Sequence, residues 1–412
     1  MMGNRMALGH DRGARSELVR QSNLSLLLGH LHHHGSTTRS DLVAATGLTR
    51  SAVGALVGEL HELGFVDEER SQSDGHPGRP SPLVRPIDRN VVISMEVLVD
   101  SIAVAVVALG GNVLTSAREV RPRLRHSPGN TVARLAQMTE SALSDVPGDV
   151  VLHGVGVAVA GVVRREEGVV AVAPNVGWTA VPLRDLIREA IALEAPIHVG
   201  NEGDFGALAE SRRGVATGLS DVVYISGEVG VGGGVIVDGR PLVGTAGFAG
   251  EVGHIPVRVD GAPCNCGATG CWETEVGEQA LLRRVGRPDT GGRDAFRHVL
   301  ADAEAGDADV LRALRDHGTW LGFGLAGIVN LFDPELIVLG GDFTELFPFV
   351  EASLSAELER RVFDVIRQQV AVVPARLTFD APLLGAAEWA WDQAIIDPAA
   401  SSRTAVAARR RK

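Results

Sequence analysis

The chain has 412 residues, 45% of them hydrophobic, with 50 glycines and a formal net charge of −12. That length exceeds one ordinary domain and points to two or three. No apolar run approaches the ~20 residues needed to span a bilayer, and the polar N-terminus lacks an apolar signal core, so a cytoplasmic protein without membrane contact is expected.

The charge is unevenly spread. Residues 1–85 set nine arginines against nine acids, residues 398–412 carry five cations and no acid, and the segment between holds 25 basic and 42 acidic side chains. Such a middle repels nucleic acid, whereas the N-terminal segment does not. The end of the chain, "SSRTAVAARRRK", reads as part of a disordered basic tail over 398–412.

In chain order, "ELVRQSNLSLLLGHLHHH" (17–34) places apolar groups at helical spacing, and Gly35 stops the helix. A short helix is expected from about Arg39 to Thr46, closed by Gly47 as a left-handed cap. Thr49 caps a second helix running to about Leu63, with Val53, Leu56, Val57, Leu60 and Leu63 on its buried side. Two helices joined by a tight glycine turn form a helix-turn-helix; "FVDEER" and "PLVRPI", on either side of the polar loop "SQSDGHPGRPS", add the two strands of a wing.

Residues 1–85 are therefore expected to form a winged helix-turn-helix that binds double-stranded operator DNA. An ordinary three-helix cap with a hairpin shares the pattern. The DNA reading puts Thr49, Arg50, Ser51 and Ala52 at the start of the recognition helix, and Arg79 of the wing suits a narrow minor groove. Ala52, Gly54 and Ala55 leave few hydrogen-bonding groups along that helix, so base readout is sparse.

From Asn90 the texture changes to β-branched runs such as "VVISMEVLV", "GVGVAVAGVV" and "LIVLGG", separated by helical stretches near 130–144, 183–193, 203–213, 273–284, 307–331, 348–367 and 383–396. Alternation of this kind argues for α/β layers, and the paired runs suggest two similar lobes facing a cleft.

All three cysteines lie within eight positions. Cys264, Cys266 and Cys271 follow His254 by ten, twelve and seventeen residues, with Gly267 and Gly270 between them for tight turns. Three thiols cannot pair off completely, and a Cys₃His set is a tetrahedral zinc site. Four protein ligands leave no open position, so the zinc is expected to be structural and a zinc hydrolase is excluded.

The stretches "GTAGFAGEVGHIPV" and "CNCGATGCWE", together with "APNVGW", "VGNEGDFGALAE", "GVGGG", "PELIVLGG" and "APLLGAAEWA", resemble the ROK family of repressors and sugar kinases. The likeness runs in family order from about residue 90 to 396. It implies an α/β, two-lobed actin- or hexokinase-like domain: a first lobe over 86–200, a second over 201–380 with the zinc knot, and a C-terminal helix over 381–397 returning to the first lobe. It further implies that Asn201, Glu202, Glu251, His254 and Glu273 meet sugar hydroxyls, His254 serving the zinc as well.

The chain departs from the family's kinases in three places. The first phosphate loop, D-x-G-G-T in the family, reads Glu96, Val97, Leu98, Val99, Asp100, which removes both glycines and adds a negative charge. The second loop carries Glu228 and Val229 in place of a glycine and a threonine. The position of the general base holds Glu202, one methylene longer than aspartate. The expected protein is a homo-oligomeric, non-catalytic transcriptional regulator, a repressor of carbohydrate genes, whose effector is a sugar or sugar phosphate. The alternative is an ATP-dependent sugar kinase with a fused DNA-binding domain.

Overall fold

A computed structural model describes residues 7–69, 81–192, 194–290 and 292–407; Arg79, with most of the wing loop, lies outside the described residues. The N-terminal helices form where their caps dictate. The first runs Ala7–His34. The second, Arg39–Thr46, is closed by Gly47 at φ 69°, whose N–H donates to the Val43 carbonyl. The third, Arg50–Glu62, starts at Thr49, whose hydroxyl accepts from the Ala52 N–H at 3.2 Å. Leu42, Val53, Leu56, Val57 and Leu60 pack with Leu24, Leu27, Leu28 and Leu31 into one core, each large side chain contributing about 1.5–3 kcal/mol. Val66–Glu69 and Leu83–Pro86 form the expected wing, with Thr37–Thr38 as a third antiparallel strand on the other side of Leu83–Pro86.

Two large sheets of the body share one design, beside a small antiparallel sheet of Val162–Arg164, Val169–Ala173 and Trp178–Val181. In the first, Asn90–Val97, Ser101–Ala108 and Val113–Val120 run antiparallel in succession, while Val151–Val159 and then Ile197–Asn201 add in parallel on the other side. The second repeats this order with Val222–Gly227, Val231–Val237, Arg240–Pro241, Leu336–Gly341 and Ala371–Pro374. Parallel pairing demands crossover helices, and these cover both faces of the first sheet, so Asn90–Val97 is buried at every residue.

One face of that strand, Val91, Ile93, Met95 and Val97, packs with Val132, Leu135 and Met138 of helix Pro128–Ser144. The other face lies under the helix Ala381–Ile396, and there Val92 shares a core with Trp391 and with the leucines of the N-terminal helices. The head is thus docked on the body through continuous apolar packing. Helix Ala381–Ile396 also meets helix Glu202–Arg213 so closely that a Cβ on Gly385 would stand 1.7 Å from the Phe205 carbonyl oxygen.

Two expectations are corrected, and one helix is added to those expected. The tail is ordered through residue 407: Pro398–Thr404 is a helix capped by Asp397, Ser401 is buried with its hydroxyl 2.8 Å from His153 Nδ1, and Val406–Ala407 pairs antiparallel with the start of Val151–Val159. Its cations dominate the composition, but Asp397 and Ser401 supply a cap and a docking contact; residues 408–412 lie outside the described residues. A helix over Gly292–Glu304 was not anticipated, although Phe296, Val299, Leu300 and Ala303 mark its buried stripe. The helix expected near 348–367 runs Asp342–Arg361 with Pro348 inside it, and Asp364–Arg367 is a separate turn. No helix among the described residues is long and apolar enough to cross a membrane.

Candidate functional site

His254 closes a single 3-10 turn, Val252–His254, and the chain then folds back as a hairpin-like knot in which Val257 and Cys264 donate backbone N–H bonds to Gly270 and Ala268 at 2.8 Å. Gly267 and Gly270 take φ of 96° and 71°, values that a side chain would strain. The four ligand atoms of His254, Cys264, Cys266 and Cys271 lie within 4.8 Å of one another. Cys266 Sγ is 3.7 Å from Cys271 Sγ, and Cys264 Sγ is 3.7 Å from His254 Nδ1. A tetrahedron with Zn–S bonds of ~2.3 Å has edges of about 3.8 Å, so the donor set fits a zinc ion in size and chemistry.

With Nδ1 turned to the thiols, His254 Nε2 points the other way, 3.9 Å from Glu251 Oε2. Glu273 ties the knot to the second sheet: Cys264 Sγ lies 3.6 Å from its Oε1, and its Oε2 accepts from the Val231 N–H at 2.9 Å. Asn201 ends a strand of the first sheet and caps helix Glu202–Arg213, its Oδ1 accepting from the N–H groups of Gly203 (2.7 Å) and Asp204 (3.2 Å). Its Nδ2 donates to Glu202 Oε2 at 2.7 Å and to the Gly161 carbonyl at 3.0 Å.

The carboxylates converge electrostatically. Burial pushes Glu202 well above the usual carboxylate range, and the charges of Glu251 and Glu228 add to it. Burial raises Glu251 as well, with His254 opposing and Asp204 and Glu273 reinforcing. Carboxyl, imidazole and amide groups together both donate and accept hydrogen bonds, as a polyol requires.

Sequence reasoning missed three members of this neighbourhood. Asp204 is buried, raised to about 6 by burial against the pull of the Arg165 guanidinium, which it pairs. Arg165 in turn stacks 5.1 Å over the Trp389 ring. Asn265, between the first two cysteines, donates to Asn175 of "APNVGW" at 2.9 Å and so bridges the knot to the turn between strands Val169–Ala173 and Trp178–Val181. Asp204 could have been read from its place one turn beyond Asn201; the Asn265–Asn175 pairing, 90 residues apart, carries no local signal.

The region of the altered phosphate loops is filled by protein charges. Leu98 is buried in the turn, its N–H bonded to the Ser101 carbonyl. Asp100 accepts from Arg123 at 3.0 Å, and the same guanidinium grips Glu278 of the second lobe in bidentate fashion at 2.6 and 2.8 Å. Glu96 pairs with Arg118, which also reaches Asp380 at 3.1 Å. Burial pushes Glu228 up to about 7.

On the head, Arg50 and Ser51 are exposed at the start of the third helix, and Ala52 is half-buried. The Thr49 hydroxyl is spent on capping and lies 3.1 Å from Ser51 Oγ. Arg50 is thereby the long cationic side chain at this helix start.

Residues 92–393 match the ROK family and residues 25–75 the MarR family. The chain is 29% identical to the xylose repressor of Bacillus subtilis (strain 168) over 373 residues, covering 90% of this chain and 95% of that one. It is 30% identical to a glucokinase of Streptomyces coelicolor over 320 residues, 73% of this chain and 97% of the other. Among solved structures, a ROK family transcriptional regulator described as a homolog of the E. coli MLC protein superimposes with a TM-score of 0.77 at 26% identity, covering 92% of this chain and 97% of that one. A family match over residues 92–393, which take in the main strands of both sheets, the knot and most of helix Ala381–Ile396, leaves one conclusion: the chain belongs to the ROK family.

Proposed function

We propose that this protein is a sugar-responsive, DNA-binding transcriptional repressor whose kinase-like body senses a carbohydrate without phosphorylating it. The observation that carries the reading is the contrast within the cleft. Asn201, Glu202, Glu251, His254 and Glu273, the groups proposed to meet sugar hydroxyls, neighbour one another, whereas the ion-paired Arg123, Asp100 and Glu278 occupy the turn that aligns with the first phosphate loop. A phosphate there would meet buried carboxylates, and without glycines the turn at Leu98 cannot bring N–H groups to it. Relatives named xylose repressors, matched over nine-tenths of this chain, make D-xylose the first effector to test.

In this reading the zinc would be structural: His254 and the three cysteines would hold it, and ligation through Nδ1 would leave the His254 Nε2 facing Glu251 and the sugar. Arg50 and Ser51 contact DNA, with Thr49 and Ala52 setting the helix start. Two heads in a homodimer span a pseudo-palindromic site with half-sites about one helical turn apart or a multiple of it. The cytoplasm suits a knot of reduced thiolates.

The test is a pair of measurements on the full chain. D-xylose should titrate calorimetrically and weaken binding to a duplex selected by the protein from a random pool, while a coupled assay detects no sugar-dependent ADP. Steady ADP formation proportional to protein, as expected of a glucokinase-like enzyme, would overturn the non-catalytic reading.

A further inference from the structure

Helix Glu202–Arg213 joins two places that the sequence leaves unrelated. Its first residue and its cap, Asn201, belong to the candidate sugar pocket. Its last residue, Arg213, lies about 18 Å away along the axis, at the seam between the body and the DNA-binding head. There Arg213 Nε donates to Glu388 Oε1 at 2.8 Å, Nη2 to the His32 carbonyl at 2.9 Å and Nη1 to the Gly110 carbonyl at 3.1 Å.

His32 is fully buried in the last turn of helix Ala7–His34. Its Nδ1 accepts from the Gly110 N–H at 3.1 Å, while its Nε2 lies 3.1 Å from Glu388 Oε2 and 3.0 Å from Arg213 Nη2. With both ring nitrogens engaged and the guanidinium alongside, this His–Glu cluster is a polar joint and not a metal site. Gly111 makes room for it at φ 87°: a Cβ there would stand 2.5 Å from the Arg213 guanidinium carbon.

The helix between pocket and joint cannot flex independently. Gly203 through Glu210 are all buried. A Cβ on Gly203 would press to 2.5 Å on the Gly233 carbonyl oxygen of the second sheet, and the Phe205 backbone abuts Gly385 on the opposite side. A displacement at the first turn is therefore delivered to the last turn, because close-packed interiors transmit strain and do not absorb it.

We infer that Arg213 is a positioning residue: it reads the effector state of the pocket through its own helix and sets the orientation of the head by holding the His32 carbonyl and Glu388. The planar fork suits this role, since one guanidinium bonds the end of the head's first helix, the body's turn at Gly110 and helix Ala381–Ile396 at once. A cation at the last turn of Ala7–His34 also complements that helix's C-terminal dipole. This inference rests on the proposed effector-controlled DNA binding.

The test uses the full chain, D-xylose and the pool-selected duplex. Removing Arg213 alone strands the Glu388 charge, so the principal variant is R213Q/E388Q, which removes both charges and keeps amide hydrogen-bonding groups; R213K, which keeps the charge and loses the fork, is the conservative companion. Wild type is expected to lose operator affinity about 5–150-fold on saturation with sugar. In R213Q/E388Q the sugar-free operator affinity and the calorimetric sugar affinity should each stay within about threefold, while the sugar-induced change falls below about twofold; R213K should lie between. A sugar-induced change in R213Q/E388Q equal to that of wild type overturns the role of Arg213. A wild-type protein whose operator affinity ignores every sugar that binds it overturns the effector reading, and the inference with it.

Discussion

Replacing Glu388 by glutamine should weaken the fold by an amount that depends on pH. The carboxyl is almost wholly buried, faced by Arg213 Nε at 2.8 Å and His32 Nε2 at 3.1 Å. Burial alone would raise its pKa, but His32 and Arg213 outweigh it and bring the group from its ordinary 4.5 down to about 2. At about 1.4 kcal/mol per tenfold change in acidity, the ionised form is favoured in the fold by about 3 kcal/mol. A depressed carboxylate contributes fully above its unfolded value and loses that contribution as pH falls through the folded one. The stability difference between wild type and E388Q should accordingly be about 3 kcal/mol at pH 7, roughly half that at pH 3, and near zero below pH 2. An independent estimate for breaking one member of a buried ion pair, about 3–5 kcal/mol, agrees in size. Urea unfolding at pH 7, 4 and 3 reads it, with tryptophan emission as the signal because the Trp391 ring lies 5.6 Å from that of His32. A penalty under about 1 kcal/mol at pH 7, or one that does not change with pH, would refute the claim that charge holds the joint together.

Metal analysis should find about one zinc per chain, and Cys266→Ser should lose it along with thermal stability; a metal-free protein that melts at the same temperature and still binds sugar would contradict the structural role. Arg50→Ala should cost about 1–3 kcal/mol of specific operator affinity with little change on unrelated duplex, as read by a mobility-shift titration. Glu251→Gln should weaken sugar binding at least about tenfold in calorimetry, the mismatch of one buried hydrogen bond being worth ~1–3 kcal/mol. Glu228, raised by burial to about 7, carries the opposite sign to Glu388: the fold pays progressively as pH rises from about 4.5 to 7 and fully above that. Glu228→Gln should therefore stabilise by about 1–3 kcal/mol at pH 8 and by almost nothing at pH 4.5, measured as the shift in melting temperature at the two values.

The features legible in the sequence are those written within a few residues or in a fixed order of motifs. Thr49 caps a helix three residues later and Gly47 ends one, because a side-chain oxygen or a missing Cβ acts on its own turn. The buried stripe of the third helix follows from a period of 3.6, and the α/β layering from alternating runs. His254 and the three cysteines could be grouped because glycines between them leave the chain few other ways to turn. Beyond that reach, the sequence is silent about partners. Arg123 meets Glu278 across 155 residues, Ser401 meets His153 across 248, and His32 meets Glu388 across 356. Nothing near any of these side chains distinguishes it from a solvated one, which is why the tail reads as disordered from its sequence alone. Only the packing of the sheets, helix Ala381–Ile396 and the head decides which charges are desolvated and which find a counter-ion. That decision makes Glu388 a buried anion below the carboxylate range and Glu228 a protonatable acid near neutrality, from two glutamates that look alike as letters.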